Sequence, residues 1–83
     1  MPKRRNYHRY ELRQGHLIVY AGITNDPERR EEEHREEGKH FSGLSTVGSA
    51  VTKATAERWE EARLEAYRKT HRGRNPRYNE TDR

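Results

Sequence analysis

The sequence predicts an α+β fold: a small three-stranded antiparallel sheet flanked by two main helices. Three observations predict it. LIVYAGI, residues 17–23, is the strongest strand signal in the chain, and a turn around Gly15 joins it to a strand before it. Asn25-Asp26-Pro27 then switches the pattern to a helical run. Further on, residues 56–70 place apolar side chains at helical spacing.

Residues 7–12 read as the first strand, QGH at 14–16 as the turn, and 17–23 as the second strand of a hairpin. Asp26 suits an N-cap, Pro27 the first helical position, and Glu28 the positive end of the helix dipole. Gly38 is a stop signal, so helix one covers residues 27–37. It carries no apolar side chain after Pro27, and must touch the sheet with the aliphatic stems of Arg and Glu. FSGLSTVGSAVT mixes small and β-branched residues and holds a third strand within 46–51. Thr55 caps a second helix over 56–70. Ala56, Trp59, Ala62, Ala66 and Tyr67 fall on one side of it, the side expected to cover the sheet. HRGRNPRYNETDR is a basic, turn-rich tail, and Pro76 ends any helix before it.

With 83 residues, of which 28% are hydrophobic and 39% charged, the chain has material for one domain with a small core. Residues 1–6 form a basic arm, and 7–83 form the domain with its tail. No apolar run is long enough to cross a bilayer, and no apolar stretch follows the basic MPKRR, so neither a membrane span nor a secretory leader is expected. The lack of cysteine rules out disulfides and thiolate metal sites and fits a cytoplasmic protein. The net charge of +4 is unevenly placed. Residues 1–13 are locally +4, residues 26–37 locally −4, and residues 67–79 hold five basic side chains and no acid. Two basic ends around an acidic middle point to a polyanion touched at particular places; a solubilised surface is the plain alternative.

No Gly-rich phosphate loop, zinc-spaced Cys/His cluster or nucleophile elbow is present. EEEHREE reads first as a solvated, salt-bridged helix face rather than a metal site. A different set remains. Tyr10 and Tyr20 lie on paired strands. Arg30 and His34, four apart, project from one face of helix one. Helix two offers Glu57, Glu60, Glu61 and Glu65. Tyrosine, arginine, histidine and one carboxylate together could hydrolyse a phosphodiester with the help of a metal. Taken singly, each residue has a plain structural reading; only their combination in this order is informative.

YELRQGHLIVYAGITNDPERREEEH resembles the GIY-YIG nuclease domain. His8-Arg9-Tyr10 occupies the first signature triplet and Tyr20-Ala21-Gly22 the second. Arg30 stands eight residues after Gly22, as the family's catalytic arginine does, and His34 follows one turn later. EEARLEAYRKTHRGRNPRYN is similar to the EALLLE…PRYN segment of the family's excision-repair nucleases, which places Glu65 at the metal-binding glutamate and Asn79 at the late asparagine. The likeness covers residues 7–79. The sequence departs from the pattern at His8, where the signature has glycine, and at Glu31, where many members have leucine. Glu65 lies toward the polar side of helix two, and Glu61, one turn earlier, is the alternative metal residue.

The resemblance implies an endonuclease that nicks DNA, ahead of RNA, with one Mg²⁺ or Mn²⁺. Tyr10 is the first choice for activating water, relayed by His34 or Tyr20. Arg30 carries charge on the phosphate, Glu65 holds the metal, Asn79 braces the site, and Gly22 leaves backbone room beside the phosphate. Lys3, Arg4, Arg5, Arg74 and Arg77 are candidates for strand contacts. A homodimer or a targeting partner protein is left open, as is a non-catalytic DNA- or RNA-binding module on the same scaffold. The nuclease reading also makes a geometric demand. Tyr10 and Tyr20 are an even number of residues apart, so they share a sheet face only with an odd hairpin loop or a compensating bulge.

Overall fold

The computed structural model describes residues 5–79; Lys3 and Arg4, expected to touch a strand, lie outside the described residues. The order is β1 (Tyr7–Gln14), β2 (Leu17–Thr24), α1 (Pro27–Glu36), β3 (Gly43–Val51) and α2 (Lys53–Thr70), then a short 3-10 turn at Arg77–Asn79. The sheet is antiparallel with the order β2-β1-β3. This is the α+β fold with three strands and two helices that the sequence predicts. Among the described residues no helix is long and apolar enough to cross a membrane.

Most boundaries move by a residue or two. β1 runs two residues further toward the turn than expected, β2 one residue further away from it, and β3 begins at Gly43 rather than Thr46. The cap of α1 is the expected one: the Asp26 carboxylate accepts from the Arg29 N–H at 3.2 Å and Pro27 opens the helix. The cap of α2 is not. Thr52, not Thr55, is its N-cap, and the Thr52 hydroxyl accepts from the Thr55 N–H. Thr55 is the residue being capped.

The hairpin meets the demand for a shared face through a bulge. Gln14 pairs with Leu17, which leaves a two-residue Gly15-His16 loop with Gly15 at φ 63°. That even loop alone would split the tyrosines between faces. The register then slips between Leu12 and Arg13: Arg13 faces Ile18 and Leu12 faces Tyr20, so Val19 is the extra residue. Beyond it Tyr10 lies opposite Gly22. Tyr10, Leu12 and Tyr20 therefore share one face, and the two phenol rings stack at 5.9 Å and 25°. Tyr10, Leu12, Val19 and Phe41 form the buried cluster, with Tyr20, Leu44 and Tyr78 packed against it.

The helices dock with charged residues as much as apolar ones. In α1 the one fully buried side chain is His34. In α2 the less exposed positions are Thr55, Ala56, Trp59, Glu60, Arg63, Leu64, Tyr67 and Arg68, a regular three-four spacing, whereas Ala62 and Ala66 are exposed. The covering face is thus rotated from the one that apolar content predicts. The reason is Glu11 on β1. It is buried, accepts from Arg63 Nε at 2.7 Å and also pairs with Arg13 at 2.8 Å. Burial alone would raise its pKa; the two guanidiniums outweigh that and hold it below the usual carboxylate value. An ion pair sets the rotation of α2, and an apolar count cannot see it.

Candidate active site

Beside the β2 edge, a cleft of ≈ 480 Å³ collects side chains from β2, both helices, the loop after α1 and the C-terminal segment. β2 gives Tyr20, α1 gives Arg30, and the loop after α1 gives Lys39. α2 gives Glu60 and Leu64, and the C-terminal segment gives Asn75, Tyr78 and Asn79. Two phenols, two cations and one carboxylate thus line one cleft.

Asn79 closes the structure around this cleft. Its amide oxygen accepts from the Ala21 N–H at 2.9 Å and its amide nitrogen donates to the Ala21 carbonyl at 3.1 Å. It therefore pairs with the free edge of β2 as one residue of a further strand would. Both amide functions are spent on backbone rather than offered to a substrate. Tyr78 beside it accepts at its hydroxyl from the His40 N–H at 2.9 Å, tying the tail to the loop that carries Lys39.

The two tyrosines stand at different depths. Tyr20 lines the cleft; Tyr10 is 0% exposed and sits behind it, its hydroxyl 2.8 Å from His34 Nε2. Tyr10 was the sequence's first choice for touching water, and its burial corrects that assignment. Burial, then the neighbouring Tyr20, pushes the Tyr10 phenol well above the usual range, and the nearby Arg30 charge only partly offsets this. His34 is also fully buried; desolvation first, then the Arg30 and Lys39 charges, lower its pKa to about 4, so its ring is neutral at pH 7. Its Nδ1 has no hydrogen-bond partner, the Glu37 carboxylate lying 3.7 Å away.

Gly22 plays a different part from the one expected. A Cβ there would lie 2.6 Å from Tyr20 Cε1 and 2.9 Å from the Tyr10 hydroxyl. The space left by the missing side chain is filled by the tyrosine rings, so this glycine makes room for the phenols and not for a phosphate.

Arg30 is held by Glu33 at 2.9 Å, with Glu37 at 3.9 Å. Burial works against its charge, but Glu33 and then the tyrosine hydroxyls hold its pKa above the ordinary value. Lys39 donates to Glu37 and sits 5.9 Å from the ring centres of both Tyr20 and Tyr78.

Of the carboxylates on α2, Glu60 reaches the cleft. Glu65 and Glu61 are both exposed and neither lines it, which corrects the expected metal position. The Glu60 carboxylate forms no ion pair or hydrogen bond among the described residues; burial and then Glu57 raise its pKa. A part-buried carboxylate with no cationic partner is chemically suited to a hard divalent ion. Among the described residues no group of three or more His, Cys, Asp or Glu could hold a metal. The fit is therefore to an ion that keeps most of its water and takes one carboxylate, which is the habit of Mg²⁺.

Arg5 is exposed and outside the cleft, and Arg74 and Arg77 line a neighbouring one. Sequence reasoning missed Lys39 and Tyr78 and ranked Glu60 below Glu65. For Glu60 a signal existed: it lies four residues from both Ala56 and Leu64, on the stripe that packs. Comparison with known protein families, curated proteins and solved structures finds no match to this chain.

Proposed function

We propose that this chain is a GIY-YIG-type, metal-dependent endonuclease that nicks nucleic acid, with DNA ahead of RNA as substrate. The observation that carries the proposal is the meeting of Tyr20, Arg30, Lys39 and Glu60 in one cleft, with the Tyr10–His34 hydrogen bond directly behind Tyr20. Arg30 and Lys39 bind the scissile phosphate and offset its growing charge. Tyr20 faces the attacking water. A proton taken at the Tyr20 hydroxyl passes to the Tyr10 hydroxyl and on to His34 Nε2, which is neutral and open to it. Glu60 would hold one Mg²⁺ or Mn²⁺, and such an ion supplies charge stabilisation at the leaving oxygen. Gly22 keeps the phenols stacked, and Asn79 keeps the cleft closed at the β2 edge. The cysteine-free composition agrees with a cytoplasmic setting.

A binding module on the same scaffold is the second reading. It is favoured by the raised pKa of Tyr10, which keeps that buried phenol protonated. Incubation of supercoiled plasmid with purified protein and Mg²⁺ or Mn²⁺ separates the two. The nuclease reading expects nicking that is lost in Arg30→Ala and Glu60→Ala. Binding without nicking under either metal supports the module, and nicking that survives both substitutions points to a contaminant.

A further inference from the structure

A second cleft, ≈ 620 Å³ in volume, opens at the C-terminal end of α2. Its size is that of a small-molecule site. Arg72, Arg74 and Arg77 line it with Tyr67 and His71, and no carboxylate does. Asn75 lines both this cleft and the one holding Tyr20 and Arg30, so the two adjoin. Arg68 Nη1 donates to Asn75 Oδ1 at 2.8 Å and fixes the shared wall.

Two features of this cleft are not what helix termination requires. The first is the residue that occupies the left-handed position. The Gly73 N–H bonds to the Arg68 carbonyl at 2.8 Å, which makes Arg72 the left-handed residue of the terminating motif, at φ 58°. Glycine is the usual occupant of that position, because a Cβ is strained there. Here the strained position carries an arginine whose side chain lines the cleft. The guanidiniums of Arg72 and Arg74 make no ion pair or hydrogen bond among the described residues.

The second is an immobilised ring. His71 is exposed, yet its imidazole lies flat on Tyr67 with centroids 3.7 Å apart and planes 1° apart. Its Nδ1 is 2.9 Å from both the Tyr67 carbonyl and the Thr70 hydroxyl. One face of the imidazole is covered by Tyr67 and the other is free of ring contacts among the described residues. A rigid aromatic face beside unpaired guanidiniums is the pairing that single-strand binders use: the cations track phosphates and the ring takes a base.

We propose that this cleft binds an unpaired nucleotide next to the scissile phosphate, with its phosphate on Arg72 and Arg74 and its base stacked on His71. The assignment rests on the nuclease reading for its place beside the scissile bond. A base inside a duplex is already stacked on its neighbours and cannot offer a face to His71. The substrate class is therefore a strand with unpaired bases beside the cut, such as a flap, loop or single strand, rather than blunt duplex.

Fluorescence anisotropy in EDTA tests the subsite without chemistry. The probes are a labelled single-stranded oligonucleotide and a blunt duplex of the same length. The parent should bind the single strand more tightly. His71→Ala should weaken single-strand binding about tenfold and leave duplex binding unchanged, while His71→Phe, which keeps a ring, should retain most of it. Arg72→Gly suits the left-handed backbone, so it should fold at least as well as the parent. It should weaken binding of both probes and reduce the salt slope by about 1. Equal affinity of the parent for both probes, or unchanged single-strand affinity in His71→Ala, overturns the proposal. Plasmid nicking in parallel separates the two readings. Nicking with an indifferent His71 ends the subsite alone, and His71-dependent binding without nicking ends the nuclease and leaves the subsite.

Discussion

The Tyr10 hydroxyl lies 2.8 Å from His34 Nε2, and both side chains are fully buried. They come from a strand and a helix, 24 residues apart in the sequence. Folding favours the neutral imidazole, with a pKa of about 4 against 6.5 in the unfolded chain. Between those values the unfolded state binds more protons, so the contribution is complete above pH 6.5 and is lost as pH falls through 4. It amounts to at most about 3 kcal/mol. Urea titrations at a series of pH values should show parent stability falling across this window more steeply than that of His34→Gln. Parallel curves would remove His34 from this role.

Gly22→Ala tests the packing of the phenols. The added methyl would meet Tyr20 Cε1 at 2.6 Å and the Tyr10 hydroxyl at 2.9 Å, both on rings pinned by their neighbours. Overpacking of this kind costs about 1–3 kcal/mol. A lower Tm and a changed near-ultraviolet tyrosine signal are expected together. A variant with parent Tm and spectrum would mean that the rings have room to move.

Glu11→Ala should destabilise the fold by about 3 kcal/mol, because it leaves Arg63 part-buried without its partner and releases the contact that sets the rotation of α2. Glu11→Leu combined with Arg63→Met should recover much of the loss, since no charge is then stranded. Chemical denaturation of the parent, Glu11→Leu, Arg63→Met and the double variant forms the cycle. A double variant no more stable than the worse single one contradicts this account of docking.

The carboxylates of α2 make separable predictions. Mn²⁺ should raise the Tm of the parent and of Glu65→Gln by several degrees and leave Glu60→Gln unmoved. In metal-free buffer at neutral pH, Glu60→Gln should be slightly more stable than the parent. Its carboxylate is disfavoured by burial and by Glu57, so the charged form opposes folding. A Mn²⁺ response that disappears in Glu65→Gln and persists in Glu60→Gln would restore the assignment made from sequence.

Local chemistry sufficed for a good part of this protein. Asp26-Pro27 opens α1 and Gly38 closes it because caps and turn residues act within a few positions of themselves. For Tyr10 and Tyr20 to share a sheet face, strand parity demands a bulge or an odd loop, and the bulge at Val19 supplies it. The four-residue spacing of Arg30 and His34 gave them one face of α1. What the sequence did not contain was depth and phase. Helical spacing gives the angles between side chains on one helix, not the rotation of that helix against a sheet. Here an ion pair between residues 52 apart sets that rotation, so counting apolar residues turned α2 to the wrong face and favoured Glu65 over Glu60. In the same way, strand alternation put both tyrosines on one face, while the helix and tail packed over them decided that Tyr20 meets the cleft and Tyr10 does not.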